Sequence, residues 1–248
     1  TSLIQLGGAL IVHKGLEVKP DVQEGVRVYE YSRESGDFHA ENISIGNGEI
    51  RFDFVYPEGR IENINLGVPV SINIENGIAA MALAKLAGAT DKELADGMAS
   101  FSGVDRRFDF KIKNDKHVFL TDYAHHPQEI KQSAMSVREL YKDRKITAIF
   151  QPHLYTRTRD FYKDFADSLS LLDEVILADI YPAREKPIPG VTSRLIYDNL
   201  KPGVKKRLCK SNEIVDIVRN EDFDVLVLLG AGDIDKYVPE ITDILNSK

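Results

Sequence analysis

Apolar and polar residues alternate over much of residues 9–70, which is the pattern of strands with one buried face. The alternation is regular at residues 26–31, 38–45 and 50–55, and the turn-forming pair Asn47-Gly48 separates the last two. Strands joined by such short turns pair antiparallel. We therefore predict a run of antiparallel hairpins in this part of the chain.

The spacing of apolar residues changes after Pro69. Ile74, Ile78 and Met81 recur at the spacing of one face of a helix. Residues 91–101 show the same spacing over a shorter stretch. Two helices are therefore predicted to follow the hairpins.

From about residue 118 onward, short apolar strands alternate with amphipathic helices. The predicted strands cover residues 118–120, 146–150, 175–178 and 225–229. The predicted helices cover residues 127–141, 159–171, 193–199, 212–219 and 234–245. Near-continuous apolar strands that alternate with helices indicate a doubly wound, mostly parallel sheet with helices on both faces, an α/β fold. We predict two domains, residues 1–108 and 109–248, with the boundary where charged residues crowd together.

Composition and charge exclude several classes of partner. The chain has 248 residues, 43% of them hydrophobic, and a net charge of −7, as in an ordinary globular protein. Neither part of the chain has an excess of basic residues, so we expect no nucleic-acid partner. No apolar run approaches the roughly 20 residues of a membrane span, and no signal-peptide layout is present, so we expect no membrane partner.

The two remaining composition features concern location and completeness. Cys209 is the only cysteine, which favours a reducing, cytoplasmic location and a passive thiol. The chain begins at Thr1 without an initiator methionine, so we expect it to be a piece of a longer protein.

Candidate chemistry lies in the loops that follow the predicted parallel strands, where ligands bind in such sheets. His125, His126 and His153, half of the six histidines, occur in the first two of these loops. They could bind zinc, although the spacing H-x-x-x-H is absent. They could also cap helices, or act with arginines and helix N-termini on an anion.

Other residues of these loops leave similar choices. We predict that Arg157, in a Tyr-Thr-Arg-Thr loop, binds a carboxylate, the alternative being a surface charge at a helix start. Asp122 ends a strand, where it could accept from a ribose hydroxyl or cap the turn. Gly230-Ala231-Gly232 lacks the third glycine of G-x-G-x-x-G, and G-x-x-x-x-G-K-S/T occurs nowhere. A phosphate cradle for ATP, if ATP is used, would lie outside this chain.

Several motifs resemble the C-terminal domain of the Mur ligases. These motifs are DYAHHP at residues 122–127, FQPHLYTRTRD at 150–160 and PIPG at 187–190. SFSGVDRRFD at 100–109 is similar to the family's interdomain junction, and NIEN at 73–76 resembles the asparagine-rich helix start of its central domain. The resemblance spans residues 60–248. It implies the second half of a central ATPase domain followed by a Rossmann-like C-terminal ligase domain.

The resemblance also implies a reaction. ATP, with Mg²⁺, would activate the lactyl carboxylate of UDP-N-acetylmuramate as an acyl phosphate, which the amine of L-alanine would attack. The family's sugar-nucleotide site, P-loop and most magnesium ligands would lie in a missing N-terminal part, so this chain alone is predicted to be inactive. No metal ligand is assigned within the chain.

Residue roles follow from the resemblance position by position. Asn73 and Asn76 would face the adenine, Arg107 the ATP phosphates and Asp122 the ribose. The amino-acid and acyl-phosphate side would be lined by Tyr123, His125, His153 and Arg157. Two positions depart from the family pattern, since Leu154 stands where many relatives have arginine and Ile72 where many have histidine.

Three alternatives remain open at this stage. One is a ligase that recycles a preformed tripeptide, which carries a similar His-His-Pro loop. Another is a non-catalytic pair of nucleotide-binding domains. The third is a dinucleotide-dependent oxidoreductase, which the missing G-x-G-x-x-G after the first strand disfavours.

Overall fold

The computed structural model describes residues 7–17 and 20–248. It divides into two units, Thr1–Ser102 and Gly103–Lys248, whereas the predicted boundary follows residue 108. Residues 103–108 group with the second unit, where the backbone N–H of Tyr123 donates to the carbonyl of Arg106 at 2.6 Å. Thr1 and residues 18–19, which belong to two of the sequence predictions, lie outside the described residues.

The first unit contains two small sheets. Strands β1 (Ala9–His13) and β2 (Arg27–Tyr31) pair parallel. Strands β3 (His39–Gly46), β4 (Glu49–Tyr56) and β5 (Gly59–Asn65) form an antiparallel sheet in that order. The prediction of antiparallel hairpins is confirmed for the second sheet and wrong for the first, because alternation reports a half-buried strand without reporting the direction of its neighbour.

Two helices follow the strands, as predicted. Helix α1 (Ser71–Leu86) buries Ile74, Ile78 and Met81. Helix α2 (Asp91–Ser100) begins with a capping box, in which the backbone N–H and the hydroxyl of Thr90 donate to Glu93 Oε2 at 2.8 and 2.7 Å. The start of α2 is therefore fixed by residues of its own first turn.

The second unit is built on a six-stranded sheet. Its strands are β6 (Asp109–Lys113), β7 (Val118–Asp122), β8 (Ile146–Phe150), β9 (Glu174–Leu177), β10 (Lys205–Leu208) and β11 (Val225–Leu229). The order across the sheet is β10-β9-β8-β11-β7-β6, and only β6 runs antiparallel to its neighbour. The predicted mostly parallel sheet is confirmed.

Helices cover both faces of this sheet. They are α3 (Pro127–Leu140), α4 (Tyr155–Leu169), α5 (Arg194–Asn199), α6 (Ile214–Asn220) and α7 (Val238–Ser247). Ile149 of β8 is buried in a cluster with Ile214 of α6 and Ile241 of α7. The next residue, Phe150, points to the other face and packs on Phe165 of α4, with ring centroids 5.4 Å apart. None of the helices in the described part of the chain combines the length and apolar character of a membrane span.

The topology creates a crevice at the carboxyl end of β11. Helices α3 and α4, which follow β7 and β8, lie on one face, where Ser168 of α4 donates to the carbonyl of Pro127 at 2.9 Å. Helix α7 follows β11 and lies on the other face. Because β11 sits between β7 and β8, loops that leave toward opposite faces begin side by side. Such a switch point is where open α/β sheets bind their ligands.

Candidate active site at the switch point

Three loops meet at this switch point and are tied together by backbone hydrogen bonds. The N–H of Gly230, after β11, donates to the carbonyl of Asp122, after β7, at 3.1 Å. The N–H of Gln151, after β8, donates to the carbonyl of Leu229 at 3.1 Å. We call the loops at residues 122–127, 151–154 and 230–233, with the neighbouring loop at 179–185, the rim.

Four of the predicted site residues form one continuous cluster on the rim. The ring of Tyr123 contacts that of His125 with centroids 5.2 Å apart, and His125 lies 6.1 Å from His153. Arg157 extends the cluster, since its Nη1 is 3.4 Å from His153 Nδ1. Arg157 lies in the first turn of α4 rather than in the predicted loop, because α4 begins at Tyr155 and not near residue 159. The structure therefore places these four residues together, and their roles stay predictions.

The surroundings of His153 favour its neutral form. Burial of the ring, followed by the charges of Arg157 and His125, lowers the pKa of His153, while Glu185 opposes the shift. A neutral imidazole can accept from Arg157 at Nδ1, which leaves the proton on Nε2. His153 can therefore offer a hydrogen-bond donor without placing a second positive charge beside Arg157.

Backbone and carboxylate contacts orient the histidine pair at the start of α3. His125 Nδ1 donates to the carbonyl of Tyr123 at 2.9 Å. Glu129 accepts from the backbone N–H groups of His125 and His126 at 2.9 and 3.1 Å. Burial works against ionisation of Glu129, yet the His125 and His126 contacts hold the pKa of its carboxyl below the usual value. His126 occupies the N-cap position of α3, and its ring packs on that of Phe161 with centroids 5.2 Å apart.

Asp122 ends β7 and is largely buried. Ser133 donates to its Oδ2, and the N–H of Ala124 donates to its Oδ1 at 3.3 Å. Burial raises the pKa of Asp122 despite these two bonds and the nearby charge of Arg107. Its ribose-binding role stays a prediction.

The two arginines of the junction differ in what they contact. Arg106 pairs with Asp235 at 3.1 Å and donates to the carbonyl of Gly232 at 3.3 Å. Arg107 lies 5.8 Å from the centre of the Tyr123 ring. Across residues 7–17 and 20–248, no carboxylate oxygen lies within 4.0 Å of the guanidinium nitrogens of Arg107 or Arg157. The guanidinium groups of Arg107 and Arg157 are therefore available to an anionic ligand.

Asn73 and Asn76 lie in the first unit and border a groove of about 420 Å³. The groove walls are mainly apolar, with Leu66, Met81 and Met98 among them. Asn76 Nδ2 donates to Asn73 Oδ1 at 3.3 Å, and Asn73 Nδ2 donates to the carbonyl of Val68 at 3.2 Å. Apolar walls with a few amide groups at the edge suit a planar heterocycle.

Three helix starts on the rim are already capped by side chains. Glu129 accepts from the N–H groups of His125 and His126 at the start of α3. Glu185 accepts from the N–H of Thr156 in α4 at 3.0 Å. Gln151 Oε1 accepts from the N–H of Ile234 at 3.2 Å, in the 3₁₀ turn before α7. These particular N–H groups are therefore engaged within the protein.

Several rim residues were missed by the sequence analysis. Tyr181 stacks on His153 with centroids 5.6 Å apart and planes inclined by 25°. Gln151 bridges Ser211 and Asp233, at 3.2 and 3.0 Å. Tyr181 lies in the loop that follows the predicted strand at residues 175–178, and no local motif distinguishes it there.

Other candidate chemistry lies apart from this cluster. Burial raises the pKa of the Cys209 thiol to about 11, in keeping with a passive role. Within the described ranges, no group of three or more His, Cys, Asp or Glu side chains is arranged to hold a metal ion.

Comparisons with known proteins agree with the motifs. The family described as "Mur ligase, glutamate ligase domain" matches residues 106–232. The chain is 72% identical over its full length to a UDP-N-acetylmuramate–L-alanine ligase of Phocaeicola vulgatus, and covers 54% of that protein. It is 57% identical over 246 residues to the enzyme of the same name from Parabacteroides distasonis, and covers 53% of it. The chain thus spans about half the length of the curated relatives it matches.

Solved structures show the same fold. A UDP-N-acetylmuramate-alanine ligase from Thermotoga maritima superposes with a TM-score of 0.68 at 24% identity, over 89% of this chain and 47% of that one. A folylpolyglutamate synthase from the same organism gives 0.66 at 16% identity, over 86% of this chain and 48% of that one. The fold is therefore shared by enzymes with different substrates. From the matched family and the relatives, the chain belongs to the Mur ligase family.

Proposed function

We propose that this chain is the C-terminal portion of an ATP-dependent ligase that joins L-alanine to UDP-N-acetylmuramate. The reaction would proceed through an acyl phosphate of the lactyl carboxylate and supply a peptidoglycan precursor in the cytoplasm. Cell-wall synthesis, and with it cell shape and division, would depend on the complete enzyme. The names of the relatives support the substrates, since those proteins are named for this reaction.

One observation carries the proposal for the site. The cluster of Tyr123, His125, His153 and Arg157 lies at the switch point, with a guanidinium that has no carboxylate partner among the described residues. An amino-acid ligase needs such a cation to orient the carboxylate of the incoming amino acid. We assign Arg157 to the carboxylate of L-alanine and the other three residues to the surrounding wall of the amino-acid and acyl-phosphate site.

The nucleotide side of the proposal rests on three places. Arg107 has no carboxylate within ion-pair distance in the part of the chain that the structure describes, so it suits the ATP phosphates. Asp122 stands at the end of β7, where a carboxylate can accept from a ribose hydroxyl. Asn73 and Asn76 border the apolar groove and are assigned to the adenine. Bound ATP with Mg²⁺, held mostly by residues outside this chain, would supply the phosphoryl group that activates the carboxylate.

Replacing Arg157 in the complete enzyme tests the amino-acid site. Loss of a charge-assisted contact to a carboxylate costs about 1.5–3 kcal/mol, so Arg157→Ala should raise KM for L-alanine about 10–100-fold. Arg159→Ala is the matched control, because Arg159 is exposed and paired with Asp160 at 2.7 Å. Steady-state kinetics with varied L-alanine would measure both. An unchanged KM and kcat in Arg157→Ala would contradict the assignment.

Two alternatives make different predictions in the same assays. A recycling ligase would accept a preformed tripeptide in preference to L-alanine. A non-catalytic nucleotide-binding pair would bind adenine nucleotides and form no amide bond even when the complete protein is used. Product analysis with both acceptors would separate the three.

A further inference from the structure

We propose that Glu185 is a positioning residue, which fixes the first turn of α4 and thereby the placement of His153 and Arg157. The proposal deepens the proposed function and rests on it for the kinetic readout alone. Its physical basis is a helix start that its own residues leave uncapped and that a neighbouring loop completes.

The start of α4 is strained and has no cap of its own. Leu154, the N-cap residue, has φ +73° and ψ +136°, a backbone conformation that non-glycine residues rarely adopt. Its side chain carries no oxygen and makes no capping hydrogen bond. The first turn, which carries Arg157, therefore depends on a partner from elsewhere in the chain.

Glu185 supplies that partner from the loop after β9. Its Oε2 accepts from the backbone N–H of Thr156 at 3.0 Å, and its Oε1 accepts from the Thr156 hydroxyl. The hydroxyl and backbone bonds from Thr156 lower the pKa of Glu185, so the carboxylate is ionised at neutral pH. A negative charge at a helix N-terminus also interacts favourably with the helix dipole. The cap is thus supplied by a different loop of the same chain, and that loop also contacts the site.

Two backbone hydrogen bonds of Tyr181 join the loop that carries Glu185 to the loop at residues 151–154. The N–H of Leu154 donates to the carbonyl of Tyr181 at 2.9 Å, and the N–H of Tyr181 donates to the carbonyl of Pro152 at 2.8 Å. A tight turn follows, in which the N–H of Glu185 donates to the carbonyl of Pro182 at 2.9 Å. Because the Tyr181 ring stacks on His153, one short loop contacts both His153 and Thr156.

Glu185 acts on the two site residues by different routes. Arg157 directly follows Thr156 and reaches back one helical turn to His153 Nδ1, so fraying of this turn would release its guanidinium. Three charged or titratable groups act on the His153 ring, and of these Arg157 and His125 disfavour its protonation while Glu185 favours it. Removing the Glu185 charge should therefore lower the pKa of His153 further.

The test compares Glu185→Ala and Glu185→Gln with Glu93→Gln in the complete protein. Glu93 is a matched control, because its carboxylate also accepts from a backbone N–H and a threonine hydroxyl at a helix start, in the other unit. Hydrogen exchange of residues 155–159 reports the first turn of α4, and NMR titration of the ring reports the pKa of His153. Steady-state kinetics report KM for L-alanine and kcat separately.

We expect Glu185→Ala to speed exchange at the start of α4 at least tenfold, and Glu185→Gln to do so less, because a glutamine oxygen still accepts from Thr156. Both variants should lower the pKa of His153 and raise KM for L-alanine several-fold, with a smaller change in kcat. Glu93→Gln should leave the exchange of residues 155–159 and the pKa of His153 unchanged.

Two outcomes would overturn the positioning role. One is wild-type exchange and an unchanged His153 titration in Glu185→Ala. The other is an unchanged KM in Glu185→Ala when Arg157→Ala raises it, which would leave the proposed function standing. If Arg157→Ala also has wild-type kinetics, the proposed function fails instead, and exchange and titration alone decide the role of Glu185.

Discussion

His153 and Arg157 illustrate how neighbouring residues set each other's chemistry on the rim. Arg157 Nη1 lies 3.4 Å from His153 Nδ1. The two side chains do not repel each other when the imidazole is neutral, which is the form that its surroundings favour. A lysine in place of Arg157 would keep the charge and lose the planar fork that binds a carboxylate through two bonds. Under the proposed function, recognition of the carboxylate therefore depends on the residue type at position 157 and on the protonation state of its neighbour.

Asp122 presents the opposite situation, a carboxyl whose ionisation is disfavoured. The pKa of Asp122 is higher in the folded protein than its ordinary value. Ionisation of Asp122 therefore lowers the free energy of unfolding as the pH rises above that ordinary value. Asp122→Asn should therefore raise Tm at pH 7, since the amide can still accept from Ala124 and can donate to Ser133. This gain in Tm should shrink as the pH falls through the raised pKa toward 3.8, because the Asp122 carboxyl is then increasingly neutral in both the folded and the unfolded protein.

Thermal unfolding at pH 7, 5 and 3.5 would measure this difference. Asp105→Asn serves as the control, because the Asp105 side chain is 97% exposed. A lower Tm for Asp122→Asn at pH 7 would mean that the hydrogen bonds of the carboxylate outweigh its burial. Weaker binding of adenine nucleotides by the complete Asp122→Asn protein would support the ribose assignment.

At the scale of elements, close packing at Gly232 holds two rim loops together. A Cβ at Gly232 would lie 2.3 Å from Gln151 Oε1 and 2.8 Å from Tyr181 Cβ. Gly232→Ala must displace Gln151, which caps the 3₁₀ turn before α7 through Ile234. We expect a loss of about 1–3 kcal/mol in the free energy of unfolding, the usual cost of overpacking.

Urea unfolding would measure the effect of Gly232→Ala. Gly46→Ala is a suitable control, since no atom lies within 4 Å of its added Cβ and its φ is not positive. Equal stability of Gly232→Ala and the wild type would show that the rim adjusts without cost.

The elements also show where sequence patterns suffice and where they fail. The strand at residues 146–150 was predicted with its observed bounds, because four of its five residues are apolar and all five are buried. Strand β10 was missed because three of its four residues are Lys205, Lys206 and Arg207, a composition that edge strands tolerate. Glu185 was missed for a different reason. Its partner Thr156 lies 29 positions earlier, and no local pattern reports such a contact.

At the scale of the whole molecule, sequence reasoning reached the family and the fold. The residues of the rim cluster were named before any geometry was available, because each lies within three residues of a strand end or in the first turn of a helix. The side chains that support them, such as Tyr181 and Gln151, are fixed by the sheet order, which places β11 between β7 and β8. Strand order follows from packing of the complete sheet and is not written in any single segment.

The chain as given should lack catalytic activity. It contains no G-x-x-x-x-G-K-S/T motif, so it offers no loop to cradle the transferred phosphate. A phosphate-release assay with ATP, UDP-N-acetylmuramate and L-alanine should give the rate of buffer alone. Turnover above that rate would contradict the prediction, and the complete protein under the same conditions is the positive control.

The capped helix starts have a consequence for how this site can evolve. Glu129, Glu185 and Gln151 each hold one or more main-chain N–H groups of the rim within the protein framework. Arg107 and Arg157 add cations whose side chains can be substituted without changing the backbone. Under the proposed function, single substitutions on an unaltered scaffold would therefore change the acceptor, and enzymes with different acceptors would diverge from one common fold.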